Sequence, residues 1–345
     1  MSKIDIVVPC YNYGRYLSYC VESILAQHDV DLRVLIIDDC STDNSSEIAE
    51  ELARRDPRVE FRRNSVNLGH IKTFNIGVLD WATAPYTLLI SADDALTPGA
   101  LRRGLSVLDA HPEAGMVYGI ARVIGGDDFP HDTNDPKTPT YQIISGLDFI
   151  RHNFEEGNPV PSPTALVRTE LQQKTGGYCP LMLHTSDMEM WMRIATRASI
   201  AVIKEPQAYY RWHGSNMNLQ YTTGLIRDLN ERVRTCEYVF SVHGHDLQSD
   251  CNSMLTQMKR RFAQSALYAA GNAVIANDAQ AFQDAVDFGL KMDPRLRLSS
   301  AMLRTRLKKC LGGSGVKALR AITSHLTGKR SEEHTSELQS RQYLV

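Results

Sequence analysis

Between residues 4 and 124, β-rich apolar runs alternate with segments of helical periodicity, and this alternation constrains the fold more than any other feature. The runs are Ile4–Val8, Val34–Ile37, Val59–Phe61, Tyr86–Ile90 and Met116–Ile124. Ile4–Val8, Val34–Ile37 and Tyr86–Ile90 are dominated by apolar residues, the pattern of a strand buried on both faces, while Val59–Phe61 reads as a short strand and Met116–Ile124 as a further one. Between them, residues recur at helical spacing: apolar Leu17, Cys20, Val21, Ile24 and Leu25; then Ile48, Ala49 and Leu52; then Ile71, Phe74, Asn75, Val78 and Ala82 as one helix face. Thr42 to Ser46 supplies cap residues for the second helix. Pro98 opens a fourth, which carries Leu101, Leu105 and Leu108. Strands that alternate with helices predict an α/β fold: a doubly wound, mostly parallel sheet with helices on both faces.

Gly125 to Thr140 reads as a loop and Leu147–Asn153 as a helix. Pro159–Pro163 reads as an extended loop and Thr164–Val167 as a strand. A helix from Asp187 to Arg197 and a strand at Ala201–Ile203 complete the sheet layer. Strand signals stop near residue 220. Long helical patterns follow, such as Ala263–Val274 and Ala279–Leu290. The expected organisation is a sheet domain over 1–219, divided near residue 125, and a C-terminal helical region over 220–329. Residues 330–345 are set aside. Their RSEEHTSELQS resembles an in-frame translation of a sequencing-library adapter.

Composition excludes several classes. A 345-residue chain with 43% hydrophobic residues can bury a sizeable core. Its net charge of -2 argues against a globally basic nucleic-acid binder. No apolar run approaches the length of a membrane span, and no secretory signal is visible at the N-terminus, so a cytoplasmic location is expected. Seven widely spaced cysteines without a C-x-x-C argue against a disulfide framework or a zinc ribbon. Charge is unevenly placed: residues 295–329 hold nine basic residues and no acidic one. Leucines interleaved there suit either a peripheral contact with an anionic membrane surface or a solvated helical face.

Ligands of open α/β sheets bind beyond the carboxyl ends of the strands. There the first strand runs into Pro9-Cys10-Tyr11-Asn12 and the second into Asp38-Asp39. The Tyr86–Ile90 strand runs into Ser91-Ala92-Asp93-Asp94. Adjacent acids repel each other unless a cation or hydrogen-bond donors offset them. The alternatives are a capping role for Asp38-Asp39 and a solvated turn for Asp93-Asp94. No glycine-rich phosphate loop follows the first strand, which argues against a dinucleotide-dependent dehydrogenase or a sugar-nucleotide nucleotidyltransferase.

These residues resemble the family 2 glycosyltransferases of the GT-A fold. VVPCYNYGRYLSYCVESILAQ is similar to that family's opening strand, Tyr-Asn loop and first helix, and LIIDDCSTDNS to its nucleotide-recognition segment. NLGHIKTFNIGVLDWATAPYTLLISADD resembles the stretch that leads to its metal-binding carboxylates. TGGYCP with HTSDMEMWMRIA resembles its acceptor loop and base helix. The resemblance covers residues 3–215. It implies an inverting sugar transferase that uses a nucleotide-sugar donor, a saccharide or lipid-linked saccharide acceptor, and a divalent metal, Mn2+ or Mg2+. It assigns Pro9, Tyr11, Asn12, Asp39, Asn75 and Asp93 to the nucleotide sugar, Arg211 to its phosphates, Asp94 to the metal, His213 to the metal or the diphosphate, and Asp187 to the catalytic base, with ordinary loop positions the alternative for Arg211 and His213. Read from the residues, Tyr178 falls on the acceptor side because Gly176-Gly177 let the backbone approach a ligand, while Trp191, four residues after Asp187 on the same helical face, is either a core residue or an acceptor-side one. A helix N-terminal role is the alternative for Asp187. The family often carries Asp where Ser91 stands and Arg where Phe74 stands. A non-catalytic nucleotide-sugar-binding scaffold remains the other class of reading.

Overall fold

The structure, a computed structural model, describes residues 2–126, 128–214, 216, 225–244 and 251–312. They fall into two units, one ending at Asn216 and one made of 225–244 and 251–312.

The first unit is built on a nine-stranded sheet. Its strands are β1 (Lys3–Cys10), β2 (Asp31–Asp38), β3 (Val59–Arg63), β4 (Tyr86–Leu89), β5 (Ala95–Leu96), β6 (Ala114–Gly125), β7 (Tyr141–Ile144), β8 (Leu166–Arg168) and β9 (Ser199–Trp212). The order is β3-β2-β1-β4-β8-β6-β9-β5, with β7 also on β9. The half β3-β2-β1-β4 is parallel throughout. Beyond it β8 runs antiparallel to both β4 and β6, while β6 and β9 are parallel. The sheet is therefore doubly wound and mixed, with its parallel part where the alternating pattern was strongest.

Helices α1 (Gly14–Leu25), α2 (Ser45–Arg55), α3 (His70–Asn75), α4 (Ala100–Ala110), α5 (Gly146–Glu155), α6 (Thr169–Thr175) and α7 (Ser186–Ala195) complete the unit. In the core, Ile4, Ile6 and Val8 of β1 cluster with Leu17, Val21 and Ile24 of α1. Residues 71–82 were expected as one helix. Instead α3 is continued by a π-helical segment, Ile76–Trp81. Gly77 allows this segment to lie against β1, because a Cβ there would run into the Val7 side chain.

One buried charge fastens the parallel half. Asp5 is fully buried on β1 and takes both Nε and a terminal nitrogen of Arg33 on β2, at 2.9 and 2.8 Å. It also accepts the Thr83 and Ala84 amides that lead into β4. An Asp5→Ala variant would strand these donors. We expect it to lose about 2–4 kcal/mol of stability in urea unfolding. A loss below about 0.5 kcal/mol, the range of a surface substitution, would remove the fastening role.

The structure adds β5, β7 and α6, and it extends β9 well beyond Ala201–Ile203. Lys204, Glu205, Pro206 and Gln207 interrupt the apolar pattern of β9, and β5 is only two residues long, so neither carries a periodic signal.

The second unit is helical: α8 (Leu225–His243), α9 (Cys251–Ala276), α10 (Ala279–Met292) and α11 (300–312). Ala263, Leu267, Ala270, Phe282, Ala285, Leu296 and Met302 form its core. The Asp278 side chain caps α10 by accepting the Ala281 amide at 2.9 Å. Among the described residues no helix is long and apolar enough to cross a membrane. The remainder of the basic stretch, 313–329, and the segment 330–345 lie outside the described residues.

Candidate active site

The parallel strands bring three polar clusters to one sheet edge. Beyond β1, Asn12 takes a left-handed backbone (φ 57°). Its amide donates to Ser41 Oγ at 2.9 Å, and its Oδ1 accepts the Thr42 amide at 2.8 Å. The β1 and β2 loops are thus tied together. Pro9 is buried beneath them, and Tyr11 stands 45% exposed at the edge.

The Asp38-Asp39 pair divides its work. Asp38 is wholly buried and accepts the Ser41 amide and the Ser46 hydroxyl, with Arg63 at 3.4 Å. It is the turn-forming residue. Asp39 points the other way and organises the 64–69 loop. Its Oδ1 accepts Asn64 Nδ2 and the Leu68 amide, both at 2.8 Å, and its Oδ2 accepts the Gly69 amide at 2.9 Å. Three of about four lone-pair positions are then used.

The Asp93-Asp94 pair meets the end of β9. The β5–β9 ladder pairs Ala95 with Tyr209 and so sets Arg211 beside the two acids. Asp94 Oδ1 accepts the Arg211 amide at 3.0 Å. His213 Nε2 lies 3.1 Å from Asp93 Oδ2, and its ring stacks on Tyr16 at 5.2 Å. The other oxygen, Asp93 Oδ1, is buried without a hydrogen-bond partner. Burial, and then the charge of Asp93, push the Asp94 carboxyl well above the usual carboxylate range. Burial and the same two acids also raise the Tyr13 hydroxyl. Two adjacent buried acids, with one Asp93 oxygen unpartnered, form a site that favours added positive charge.

Arg211 does not supply that charge at the surface. It is fully buried, its Nε donates to the Asp93 carbonyl, and a terminal nitrogen donates to the carbonyls of Gly125, Gly126 and Asp128. Tyr16 and Phe129 flank its guanidinium. The expected phosphate contact is therefore corrected: Arg211 braces the loop after β6.

Asp187 opens α7 and is half-buried. Its Oδ1 accepts the Met188 amide at 2.7 Å, and its Oδ2 accepts Asn158 Nδ2 and Ser162 Oγ, both at 3.0 Å. Burial raises its carboxyl above the usual range even though these bonds lower it. Such a carboxyl is oriented, and its raised pKa makes it a stronger proton acceptor than an ordinary carboxylate. Behind it, Glu189 and Arg193 form a buried pair at 2.5 Å, and Arg193 also donates to the Gly177 carbonyl.

Three further expectations change. Asn75 has both ends of its amide on the Tyr178 backbone, accepting from the Tyr178 N–H at 2.7 Å and donating to its carbonyl at 2.9 Å. It is a clamp between α3 and the loop before α7, rather than a ligand for the nucleotide sugar. Tyr178 and Trp191 are 3% and 1% exposed, and their rings meet edge to face at 6.1 Å. Neither offers a ring face to an acceptor, so the core reading of Trp191 holds.

Sequence reasoning missed Asn158, Ser162 and His70. His70 Nε2 lies 2.8 Å from the Leu183 carbonyl, and burial holds its pKa below the ordinary value while Asp187 and Asp39 pull it up. It joins the loop organised by Asp39 to the segment leading into Asp187. Its place just after Asn67-Leu68-Gly69 was the only available signal. Burial pushes the Cys10 thiol up to about 11, which keeps that thiol protonated. A separate cavity of about 570 Å3 lies along α1, the β5–α4 turn and residues 130–137. No expected site residue lines it.

Residues 5–170 match the glycosyl transferase family 2 family. This segment is a glycosyl transferase family 2 domain. It carries the Asp39 and Asp93-Asp94 clusters, whereas Asp187, Arg211 and His213 lie beyond the matched span. Over 221 residues the chain is 28% identical to an uncharacterized glycosyltransferase of Nostoc sp., covering 63% of this chain and 67% of that one. Two further curated relatives are matched over 64% and 16% of their lengths. In fold, the chain resembles Staphylococcus aureus TarS 1–349, solved with UDP-GlcNAc, at a TM-score of 0.63 and 18% identity over 96% of this chain and 93% of that one. It also resembles the mannosyltransferase PcManGT of Pyrobaculum calidifontis, solved with GDP-Man and Mn2+, at a TM-score of 0.54 and 16% identity over 95% and 88%. These likenesses place the fold of the family 2 domain among GT-A-like enzymes.

Proposed function

We propose that the chain transfers a sugar from a nucleoside-diphosphate sugar, with UDP the favoured nucleotide, to a hydroxyl of a saccharide or lipid-linked saccharide acceptor, with inversion at the anomeric carbon. The observation that carries this reading is Asp187, a carboxylate oriented by Asn158, Ser162 and the Met188 amide and raised by burial. The acceptor hydroxyl attacks the anomeric carbon and gives its proton to Asp187. The bond from that carbon to the diphosphate breaks, and its electron pair leaves with the diphosphate. A single displacement inverts the centre. Pro9, Tyr11 and Asn12 would flank the base, and the remaining lone pair of Asp39 would accept from it. The UDP-GlcNAc complex of a GT-A-like neighbour supports the choice of UDP.

The residues fit a divalent metal. Asp93 and Asp94 bring hard oxygen donors, one of them unpartnered, and His213 brings an imidazole. Among the described residues no three such side chains already converge as a cage. Asp94, Asp93 and His213 would hold Mn2+ or Mg2+, which would offset the charge of the leaving diphosphate. In this reading the reaction is cytoplasmic, with peripheral membrane contact through 295–329.

A thermal-shift panel of UDP, dTDP, GDP and CDP, with and without manganese, tests the donor side. Binding to the folded state at 100-fold excess over Kd stabilises by about 2.7 kcal/mol. We expect one nucleotide to raise the unfolding temperature only when manganese is present. If none of them moves it, the donor site proposed here is wrong.

A further inference from the structure

We infer that the exposed leucine ridge of α11 and its flanking arginines form a surface that seats on anionic lipid. This deepens the membrane part of the proposed function and does not depend on sugar transfer.

Helix α11 has two opposed apolar faces. Met302 and Thr305, 1% and 5% exposed, are buried within the unit. On the other side Leu303, Leu307 and Leu311 recur every fourth residue and stand 61%, 55% and 51% exposed. Leu298, just before the helix, is 94% exposed. Leucines four apart line one ridge of a helix, so the second unit leaves this ridge uncovered. Helical geometry sets Arg304 on one side of the ridge and Arg306 on the other, and both are exposed, as is Arg297. Residues 295–312 contain no Asp or Glu.

Charge complementarity selects the occupant. A second copy packed ridge to ridge would bring like charges together. Residues 313–329 add Lys317, Arg320 and Lys329 with no acid, so they bring no opposite charge either. A nucleic-acid backbone would satisfy the arginines but leave the leucines in water. An anionic bilayer answers both, because leucines enter the acyl boundary while arginines stay at the phosphate level. The orientation therefore places α11 in the interface plane, leucines toward the lipid.

Co-sedimentation of the full chain with vesicles tests this without any turnover. Phosphatidylcholine vesicles containing phosphatidylglycerol should pellet the protein, phosphatidylcholine alone should not, and salt should release it. Arg304→Glu with Arg306→Glu should weaken binding by at least about 30-fold, from roughly fivefold per basic side chain. Leu303→Ser with Leu307→Ser should weaken it as well. These side chains are exposed, so both variants should keep the parent's unfolding temperature. Equal binding by parent and variants overturns the inference, and so does binding indifferent to lipid charge. So does a parent that stays in the supernatant, whether as a monomer or as a dimer that the serine variant splits. A failed nucleotide panel with intact vesicle binding would remove the transferase reading and leave this surface standing.

Discussion

An Asp187→Asn variant turns over about 10²- to 10⁴-fold more slowly than the parent, the range that a positioned general base contributes. The amide keeps an oxygen for Asn158 Nδ2 and Ser162 Oγ but turns an N–H toward the Met188 amide, so one bond at the start of α7 is lost. That loss costs about 1 kcal/mol, so the protein stays folded. Donor binding stays near the parental value, because Asp187 acts on the acceptor proton. Nucleotide release from the matching nucleotide sugar, measured beside the thermal shift with nucleotide alone, separates the two effects. A variant with undiminished release ends the assignment of Asp187 as base.

The pH profile of the parent carries the same signature. Only the ionised carboxylate can take the proton, and burial raises its pKa in the folded protein. Activity therefore falls as pH drops through a limb above the usual carboxylate range, and Asp187→Asn lacks that limb. The sign for stability is opposite. A carboxyl whose folded pKa is raised contributes stability that is fully present below its unfolded pKa and lost as pH rises through the folded one.

The second large effect is expected at Asp94. An Asp94→Asn variant keeps an oxygen for the Arg211 amide but removes the charge that repels Asp93. The nucleotide-free variant then melts at or above the parental temperature. Its manganese-dependent affinity for the nucleotide falls by about 100-fold or more, since even outer partners of metal ligands cost 10- to 100-fold. Gain in apo stability with loss of binding is the mark of a site held under electrostatic strain for function. Calorimetric titration of nucleotide with manganese decides it. A variant that binds as tightly as the parent takes the metal away from Asp94.

Much of this site was legible in the chain because strand ends are legible. A continuous apolar run that breaks into Asp38-Asp39 or Asp93-Asp94 shows where a parallel strand meets the ligand edge. What such a run does not carry is the direction of each side chain. Asp38 and Asp39 are neighbours of the same type, yet one folds into its own turn and the other holds a loop about 25 residues away in sequence. Arg211, Tyr178 and Trp191 stand at promising places in the chain, in a late loop, after Gly176-Gly177 and four residues beyond Asp187, but the structure turns all three inward. Asn75 matched the family pattern and is consumed by the Tyr178 backbone.

By itself the sequence determined the βαβ order, the parallel half of the sheet and the edge where the carboxylates gather. These follow from local periodicity and from the strong chirality and adjacency preferences of βαβ units. Tertiary structure alone decided the short β5 ladder that sets Arg211 beside Asp93, the hold of Asn158 and Ser162 on Asp187, and the bridge from His70 to Leu183. Each joins segments far apart in the chain through one or two hydrogen bonds. Such contacts are selected by packing of the whole sheet, and no repeating pattern in the residues announces them.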